Sequence, residues 1–210
     1  MIRFPLDPSG ERIGKPARRL SEVEPAIPKG SIRPGTRPPP RRVVILGPPG
    51  SGKSTLARDL GARHGLPVFH LDRAYWRPGW VEAEPATFRA EVERIAALPA
   101  WVVDGNYIDT IAPRFAAADT VIYLDMPAWR CTARMLRRTL SSFGQVRPDG
   151  PEGCPEQLTF EFLQYTARWN RIRRTRSLAL VESFAGRRVV LRGPSAVHAF
   201  LQEMQGSGRA

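Results

Sequence analysis

The chain has little cysteine, little lysine and no long hydrophobic run. Its two cysteines, Cys131 and Cys154, stand far apart and lack other ligands at metal-binding spacing. This excludes a disulfide-stapled scaffold. No apolar segment approaches the 18 residues of a membrane helix, and the sequence shows no secretory hydrophobic region. We therefore expect a soluble protein of a reducing compartment, without a membrane partner and with the cytoplasm as its location.

Positive charge dominates, with 32 Lys and Arg against 20 Asp and Glu, and all but three of the basic residues are arginine. Such a balance on its own suggests a nucleic-acid partner. However, the excess is confined to residues 1–42 and 126–176, each of which holds ten basic and four acidic residues. The rest of the chain is balanced, so a nucleic-acid partner is an alternative that we do not favour.

The first 40 residues are rich in Pro, Gly and Arg and show no sustained apolar periodicity. This composition predicts a disordered extension. It is either a solvated tail without specific function or a basic arm that touches nucleic acid or another partner. Residues 41–205 are predicted to form one domain.

Short apolar runs alternate with helical patterns throughout that domain. Buried strands are predicted in the segments 41–47, 66–72, 101–106, 119–125 and 187–193. Amphipathic helices are predicted between them, and the last long helix aligns Leu158, Phe162, Tyr165, Trp169 and Ile172. Strands and helices that alternate at these lengths indicate βαβ units, and hence an α/β fold with a parallel sheet.

The segment GPPGSGKST follows the first predicted strand, precedes a predicted helix and fits the pattern G-x-x-x-x-G-K-[ST]. Glycines let the backbone curl so that N–H groups face inward, and the helix adds its positive end. The pattern predicts a nucleotide-phosphate site in which Lys53 contacts the β and γ phosphates and the Ser54 hydroxyl binds Mg²⁺. The site comprises Gly47, Pro48, Pro49, Gly50, Ser51, Gly52, Lys53, Ser54 and Thr55.

A metal ion at Ser54 usually has a carboxylate behind it, at the end of a neighbouring strand. Asp104 in WVVDGN and Asp125 in VIYLD both qualify by position. We favour Asp104 because Gly105 lets the chain turn close to the site, although either carboxylate could instead cap the turn that follows it. The sequence therefore predicts Ser54 and Asp104 as magnesium ligands.

Arginines cluster on the helix predicted after Pro127. One face of this helix holds Arg130, Arg134, Arg137 and Arg138. A solvated basic surface explains Arg130 most simply. The helix leads into a loop that contains Gly, Pro and Arg147, and residues about 139–157 are predicted to form an arginine-rich lid. A second arginine cluster follows, so two basic helices could close over a triphosphate.

Several motifs together resemble a known group of enzymes. The phosphate loop, the DG pair at 104–105 and the R-x-x-x-R spacing of Arg134 and Arg138 resemble nucleoside monophosphate kinases, adenylate kinase among them. The runs LD…YW…GW, W-V-x-DGNY, ADTVIYLD-P and R-P-D…GCPE are more closely similar to small bacterial P-loop kinases known as adenylate kinase-related or DNA topology modulation proteins. Nothing in these motifs reads or cuts DNA.

This resemblance, which covers residues from about 41 to 176, implies a P-loop NTPase fold of nucleoside-monophosphate-kinase type. The expected core is a five-stranded parallel sheet with its first strand in the middle, flanked by helices. The resemblance also implies ATP and Mg²⁺ as cofactors. By the same likeness, Arg134 lies along the adenine or the donor phosphates, and Arg138 with Arg147 reaches the transferring phosphate.

The stretch HLDRAYWRPGW, residues 70–80, follows the second predicted strand. In related phosphotransferases a carboxylate at this place orients or deprotonates the acceptor hydroxyl, which implies that role for Asp72. The neighbouring arginines could hold an anionic group, and the aromatic rings could stack on a planar ring. Alternatively, the rings pack in the core and Asp72 caps a turn. The candidate substrate residues are Asp72, Arg73, Tyr75, Trp76, Arg77 and Arg114.

Arg114 belongs to this set because of a departure from the adenylate kinase pattern. Adenylate kinases follow DG directly with FPR, whose arginine helps hold the phosphate of the acceptor. This chain instead continues DGNYIDTIAPR, which places Arg114 much later. The departure argues against AMP as the acceptor.

The leading functional hypothesis is an ATP-dependent kinase in which Lys53, Asp72, Arg138 and Arg147 are catalytic. Its partners would be the nucleotide and an unidentified small-molecule or nucleotide acceptor, and the protein would be a monomer or a dimer. One alternative is an ATP-binding, nucleic-acid-associated regulator, whose binding should fall steeply with salt. Another is a polynucleotide-end kinase, which should phosphorylate oligonucleotides that carry a 5′-hydroxyl.

Overall fold

The computed structural model describes residues 39–147 and 150–206, which are organised around a five-stranded parallel sheet. Its strands are β1 (Arg42–Leu46), β2 (Val68–His70), β5 (Trp101–Asp104), β6 (Thr120–Asp125) and β7 (Arg187–Arg192). A separate antiparallel hairpin pairs β3 (Trp76–Arg77) with β4 (Val81–Glu82). The spatial order of the main sheet is β2-β5-β1-β6-β7, so the first strand lies in the middle. The predicted fold class is confirmed.

Helices connect the parallel strands. They are α1 (Lys53–His64), α2 (Leu71–Tyr75), α3 (Pro85–Ala96), α4 (Ile111–Ala117), α5 (Ala128–Ser141), α6 (Phe160–Ile172), α7 (Arg174–Glu182) and α8 (Gly193–Gly206). The central strands β1, β5 and β6 are almost wholly buried, as their continuous apolar runs require. Leu56 and Leu60 of α1 pack into the same core as Phe200 of α8.

The strand register brings the chemistry-bearing residues to one edge of the sheet. Asp104 at the end of β5 is opposite His70 of β2 on one side and Ile45 of β1 on the other. The loops that leave β1, β2 and β5 therefore start side by side. In open parallel sheets, ligands bind in the crevice at the carboxyl ends of the strands.

The structure corrects the sequence prediction at one helix start. Leu158 was expected to lie on the long helix, but α6 begins at Phe160 and Leu158 is exposed before it. The cause is a cap, because the side chain of Thr159 accepts a hydrogen bond from the N–H of Phe162 at 3.3 Å. The helices α2, α4, α7 and α8 had no counterpart in the sequence prediction, and α2 begins at Leu71, inside the segment 66–72 that was predicted as a strand.

The expected disordered extension over residues 1–40 falls almost entirely on residues 1–38, which lie outside the described residues. Its disorder and its role stay predictions. Among residues 39–147 and 150–206, no helix combines the length and apolar character that crossing a membrane requires.

Candidate functional site

The predicted phosphate loop lies between β1 and α1 and curls over the start of the helix. Gly50 and Gly52 both have positive φ angles, 74° and 99°. The N–H of Ser51 donates to the Pro48 carbonyl at 3.2 Å, and that of Leu56 donates to the Gly52 carbonyl at 3.0 Å. The Ser51 hydroxyl is buried and has no hydrogen-bond partner in the described part of the chain. A buried donor of this kind suits a bound phosphate oxygen.

Lys53 lies at the mouth of this loop. Its ammonium donates to the carbonyls of Gly47 and Pro48 at 3.0 and 2.9 Å. Burial lowers the pKa of Lys53 below its ordinary value, and the nearby carboxylates of Asp104 and Asp72 partly oppose that shift. The carboxylates of Asp104 and Asp72, both predicted site residues, therefore favour the charged form of Lys53.

Asp104 joins two loops of the site through its two oxygens. The Ser54 hydroxyl donates to Oδ2 at 2.7 Å, and Nδ1 of His70 contacts Oδ1 at 2.6 Å. The hydroxyl and the carboxylate predicted to bind Mg²⁺ thus touch each other. One carboxylate, one hydroxyl and nucleotide phosphates are a donor set that suits Mg²⁺.

Asp125, the alternative carboxylate, has other partners. Arg174 of α7 donates two hydrogen bonds to it, both at 2.7 Å, and Arg192 approaches at 3.6 Å. A metal ion would have to displace this bidentate pair. Asp125 could serve as a metal ligand only by giving up Arg174, and the assignment of Asp104 as the ligand stays a prediction.

Asp72 lies in the first turn of α2, directly after β2, and is exposed. Its Oδ1 accepts a hydrogen bond from the Tyr107 hydroxyl at 2.7 Å. Tyr107 belongs to the loop after β5, so this bond ties Asp72 to the loop that follows Asp104. Asp72 is thus held in an accessible position, and its role with the acceptor stays a prediction beside the alternative that it caps a turn.

A pocket of about 690 Å³ adjoins this edge of the sheet, between β2, α2 and α3. Its floor is apolar, and its charged lining consists of Arg73, Arg77, Arg94 and Glu91. Arg94 and Glu91 pair with each other at 2.7 Å. The lining therefore carries net positive charge, contributed by Arg73 and Arg77. Both belong to residues 70–80, the predicted substrate segment, which we name the acceptor stretch. His70 also lines this pocket and so connects it to Asp104.

Two of the predicted substrate aromatics lie in the core. Tyr75 is 7% exposed and Trp76 is 8% exposed. The Tyr75 ring packs against Trp76, Phe88 and Tyr107, with ring centroids 4.8–5.1 Å apart. Their faces are covered by protein, which contradicts the prediction that they stack on a substrate. The packing alternative describes them correctly.

Arg114 is the second correction, because it is wholly buried in α4. Its guanidinium donates to the carbonyls of Gly105, Asn106, Tyr107 and Thr110 at 2.6–3.2 Å. Burial lowers the pKa of Arg114 to about 9. A side chain enclosed in this way shapes the loop after β5 and does not reach a substrate.

Sequence reasoning missed Asn106 and His70. The Asn106 amide accepts from the N–H of Gly47 at 3.1 Å and donates to the carbonyl of Gly47 at 2.9 Å. It therefore fixes the first residue of the phosphate loop. The strand alignment of FHLD with WVVDGN could have indicated His70, because parallel neighbours place His70 opposite Asp104. Asn106 belongs to the run W-V-x-DGNY that carries the family resemblance, which could have indicated it.

The predicted phosphate arginines lie on α5 and on the segment after it. Nη1 of Arg134 donates to the Ser51 carbonyl at 3.4 Å, so this arginine lies against the phosphate loop. Nη2 of Arg138 is 3.5 Å from Oε1 of Glu156, and Nε of Arg147 contacts the same oxygen. The structure thus brings Arg138 and Arg147 together at one buried carboxylate.

No family model and no curated protein matches the chain. Among solved structures, shikimate kinase from Acinetobacter baumannii in complex with shikimate superposes with a TM-score of 0.52 at 18% identity, over 78% of this chain and 90% of that one. A candidate kinase from Chloroflexus aurantiacus gives 0.51 at 14% identity, over 81% and 99%. A gluconokinase from Sinorhizobium meliloti 1021 gives 0.46 at 19% identity, over 81% and 93%. The first two superpositions show that the chain shares the fold of these proteins.

Proposed function

We propose that the protein is an ATP-dependent phosphotransferase that phosphorylates a hydroxyl group of a small-molecule acceptor. The observation that carries the proposal is the convergence of three groups at one edge of the sheet. Lys53 begins α1 at the end of the phosphate loop, the Ser54–Asp104 pair adjoins it, and Asp72 accepts a hydrogen bond from Tyr107 of the loop that follows Asp104. The residues proposed for the donor, metal and acceptor functions thus belong to loops that leave the same edge of the sheet. The fold shared with shikimate kinase is consistent with this proposal.

In the proposed reaction, the acceptor oxygen forms a bond to the γ-phosphorus while the bond from phosphorus to the β,γ-bridging oxygen breaks, releasing ADP. Asp72 orients the acceptor hydroxyl and accepts its proton. Lys53 and the arginines near it stabilise the charge of the transferring group. Ser54 and Asp104 would hold Mg²⁺, which supplies further neutralisation of phosphate charge when bound.

The pocket lined by Arg73, which follows Asp72 in the chain, suggests what the acceptor looks like. Its charged lining has an excess of arginine, which favours an acceptor with an anionic group. The rings of Tyr75 and Trp76 are buried, so recognition of a planar ring by these residues is not expected. We propose a small anionic molecule that carries a hydroxyl as the acceptor class.

A labelled-ATP screen tests this proposal. The purified protein is incubated with Mg-ATP and separate pools of hydroxy acids, sugars, sugar phosphates, nucleosides and 5′-hydroxyl oligonucleotides, and transfer of label is measured. We expect transfer to a small anionic acceptor, a fall in kcat of about 10²-fold in Asp72→Asn, and unchanged Mg-ADP affinity. The matched control is Asp109→Asn, which removes an exposed carboxylate in the loop after β5.

The outcomes separate the candidate functions. Label on the oligonucleotide alone would favour a polynucleotide-end kinase. Absence of Lys53-dependent ADP release with every pool would contradict the phosphotransferase proposal. Full turnover in Asp72→Asn would remove Asp72 from the mechanism and leave the donor site intact.

A further inference from the structure

The segment Gly150–Glu156, which follows Arg147 along the chain, docks on the acceptor stretch after β2. We name it the docking segment. Four hydrogen bonds join the two stretches. They run from Gly79 N–H to the Gly153 carbonyl (2.9 Å), from Trp80 Nε1 to the Pro155 carbonyl (3.0 Å), from Cys154 Sγ to the Arg77 carbonyl (3.1 Å) and from Arg73 Nε to the Gly150 carbonyl (3.1 Å).

Close packing at Gly153 reinforces these bonds. Gly153 has a φ of 66°, and a Cβ atom there would lie 2.8 Å from Cβ of Pro78 and 3.1 Å from its Cα. Contacts this short would force the two backbones apart. Gly153 is therefore a position at which the docking can be disturbed without any change of charge.

The docking segment ends at Glu156, whose side chain is buried. Its Oε1 faces Arg138 and Arg147, and its Oε2 accepts from the Thr139 hydroxyl at 3.1 Å. Its backbone is also anchored, because its N–H donates to the Gln145 carbonyl at 2.8 Å and its carbonyl accepts from Gly144 at 2.9 Å. The carboxylate is consequently a fixed point to which two arginines are attached.

The arginines need such a partner. Two guanidinium groups at one oxygen repel each other unless a negative charge lies between them, and long side chains lose rotamer freedom when they are held in place. A guanidinium has five donors, so an edge contact to Glu156 is compatible with a second contact to phosphate. Arg138 lies one turn after Arg134 on α5, and Nη1 of Arg134 donates to the Ser51 carbonyl of the phosphate loop at 3.4 Å, so this face of α5 adjoins the phosphate loop.

We propose that Glu156 is a positioning residue that holds Arg138 and Arg147 for the γ-phosphate, and that the docking segment makes this arrangement depend on the acceptor stretch. The proposal rests on the proposed phosphotransfer and deepens it. The docking segment then connects the acceptor stretch to Arg138 and Arg147 through Glu156. Displacement of the acceptor stretch would therefore move these arginines and change recognition of the transferring phosphate.

The test compares binding of Mg-ADP with binding of Mg-AMP-PNP, a non-hydrolysable ATP analogue, by isothermal titration calorimetry. The ratio of their Kd values reports recognition of the γ-phosphate and is insensitive to a uniform change in nucleotide affinity. In Glu156→Gln, which keeps the size and loses the charge, we expect the preference for AMP-PNP to fall about 10-fold, the equivalent of about 1.4 kcal/mol. The matched control is Glu152→Gln, which removes an exposed carboxylate from the same segment and should leave the ratio unchanged.

Gly153→Ala tests the dependence on docking with Glu156 intact. We expect it to lower the AMP-PNP preference in the same direction. Its control is Gly65→Ala, which has a φ of 63° and open space around the new Cβ atom, and so carries the same backbone strain without the clash. Thermal unfolding of each variant establishes that it is folded.

Each result supports or overturns the inference. A preference for AMP-PNP that rises in Glu156→Gln would mean that Glu156 competes with phosphate, and would overturn the positioning role, as would an unchanged ratio. An unchanged ratio in Gly153→Ala would overturn the dependence on docking. If the wild-type protein binds neither nucleotide, the proposed function fails together with this inference; if it binds both and only the variants fail to respond, this inference alone is wrong.

Discussion

Replacement of Arg114 by methionine should destabilise the protein, because the guanidinium organises the loop after β5. It donates to four carbonyls and is wholly buried. The Tyr107 carbonyl also accepts hydrogen bonds from Thr110, so it keeps a partner when the guanidinium is removed. The contact to the Gly105 carbonyl is buried and that to the Asn106 carbonyl is partly buried. A buried acceptor left unsatisfied costs about 1–3 kcal/mol, so the two together cost at most about 6 kcal/mol, with the smaller share from Asn106.

Relief of the buried charge offsets part of this cost, since desolvation lowers the pKa of Arg114 to about 9. We expect a net loss of about 3 kcal/mol, which for a domain of this size corresponds to a Tm lower by about 6–12 °C. Scanning calorimetry of Arg114→Met measures the change, with Arg89→Met, an exposed arginine of α3, as the control.

The same variant should lose affinity for Mg-ADP, because the loop that Arg114 shapes carries Asn106, which fixes Gly47 of the phosphate loop. If Arg114 instead contacted the acceptor directly, Arg114→Met would keep the wild-type Tm and Mg-ADP affinity, and only the KM for the acceptor would rise. A Tm equal to that of Arg89→Met would therefore refute the reasoning from burial.

Two further predictions concern the phosphate loop. Gly50→Ala places a Cβ atom against the Cys131 carbonyl of α5 at a residue with a φ of 74°, so calorimetry should show Mg-ADP binding weakened at least 10-fold. The control Gly65→Ala should bind Mg-ADP normally. Equal binding by both variants would show that the phosphate loop does not need the close approach of Gly50 to α5. Burial lowers the pKa of Lys53, so its positive charge, and with it the affinity for Mg-ADP, should be lost at a pH below the ordinary lysine pKa of 10.5. Lys53→Arg keeps its charge at high pH and should show a flatter pH profile of Mg-ADP affinity. Parallel profiles in the two proteins would contradict the contact of Lys53 with the phosphates.

The sequence predicted the sheet well because parallel strands at its centre are apolar along their whole length. The apolar runs RVVIL and TVIYLD are typical of strands that are buried on both faces of a sheet. Helical segments separate the strands along the chain, which indicates parallel pairing. The short elements were harder to predict. Helix α4 contains a buried arginine and a proline within seven residues, so its sequence carries no amphipathic pattern.

The position of the phosphate loop between β1 and α1 was predictable for a similar reason, because the loop is a continuous stretch whose backbone geometry depends on its own glycines. The acceptor side depends on which distant segments meet. Tyr75 and Trp76 look like ligand-stacking residues in the sequence, and only the positions of Phe88 and Tyr107 show that they are core. Likewise, nothing adjacent to Glu156 in the sequence indicates that it faces both Arg138 and Arg147.

The partners of the two strand-end carboxylates also explain why they have different roles. Asp125 is neutralised by Arg174, which follows it by 49 residues and binds it with two charge-assisted hydrogen bonds. Asp104 is contacted by the Ser54 hydroxyl at one oxygen and by Nδ1 of His70 at the other, and these two contacts fix the orientation of the carboxylate. The proposed function would use the negative charge of Asp104 to hold a cation beside the phosphates. Arg174 neutralises the negative charge of Asp125, and this pair makes Asp125 a structural link between β6 and α7.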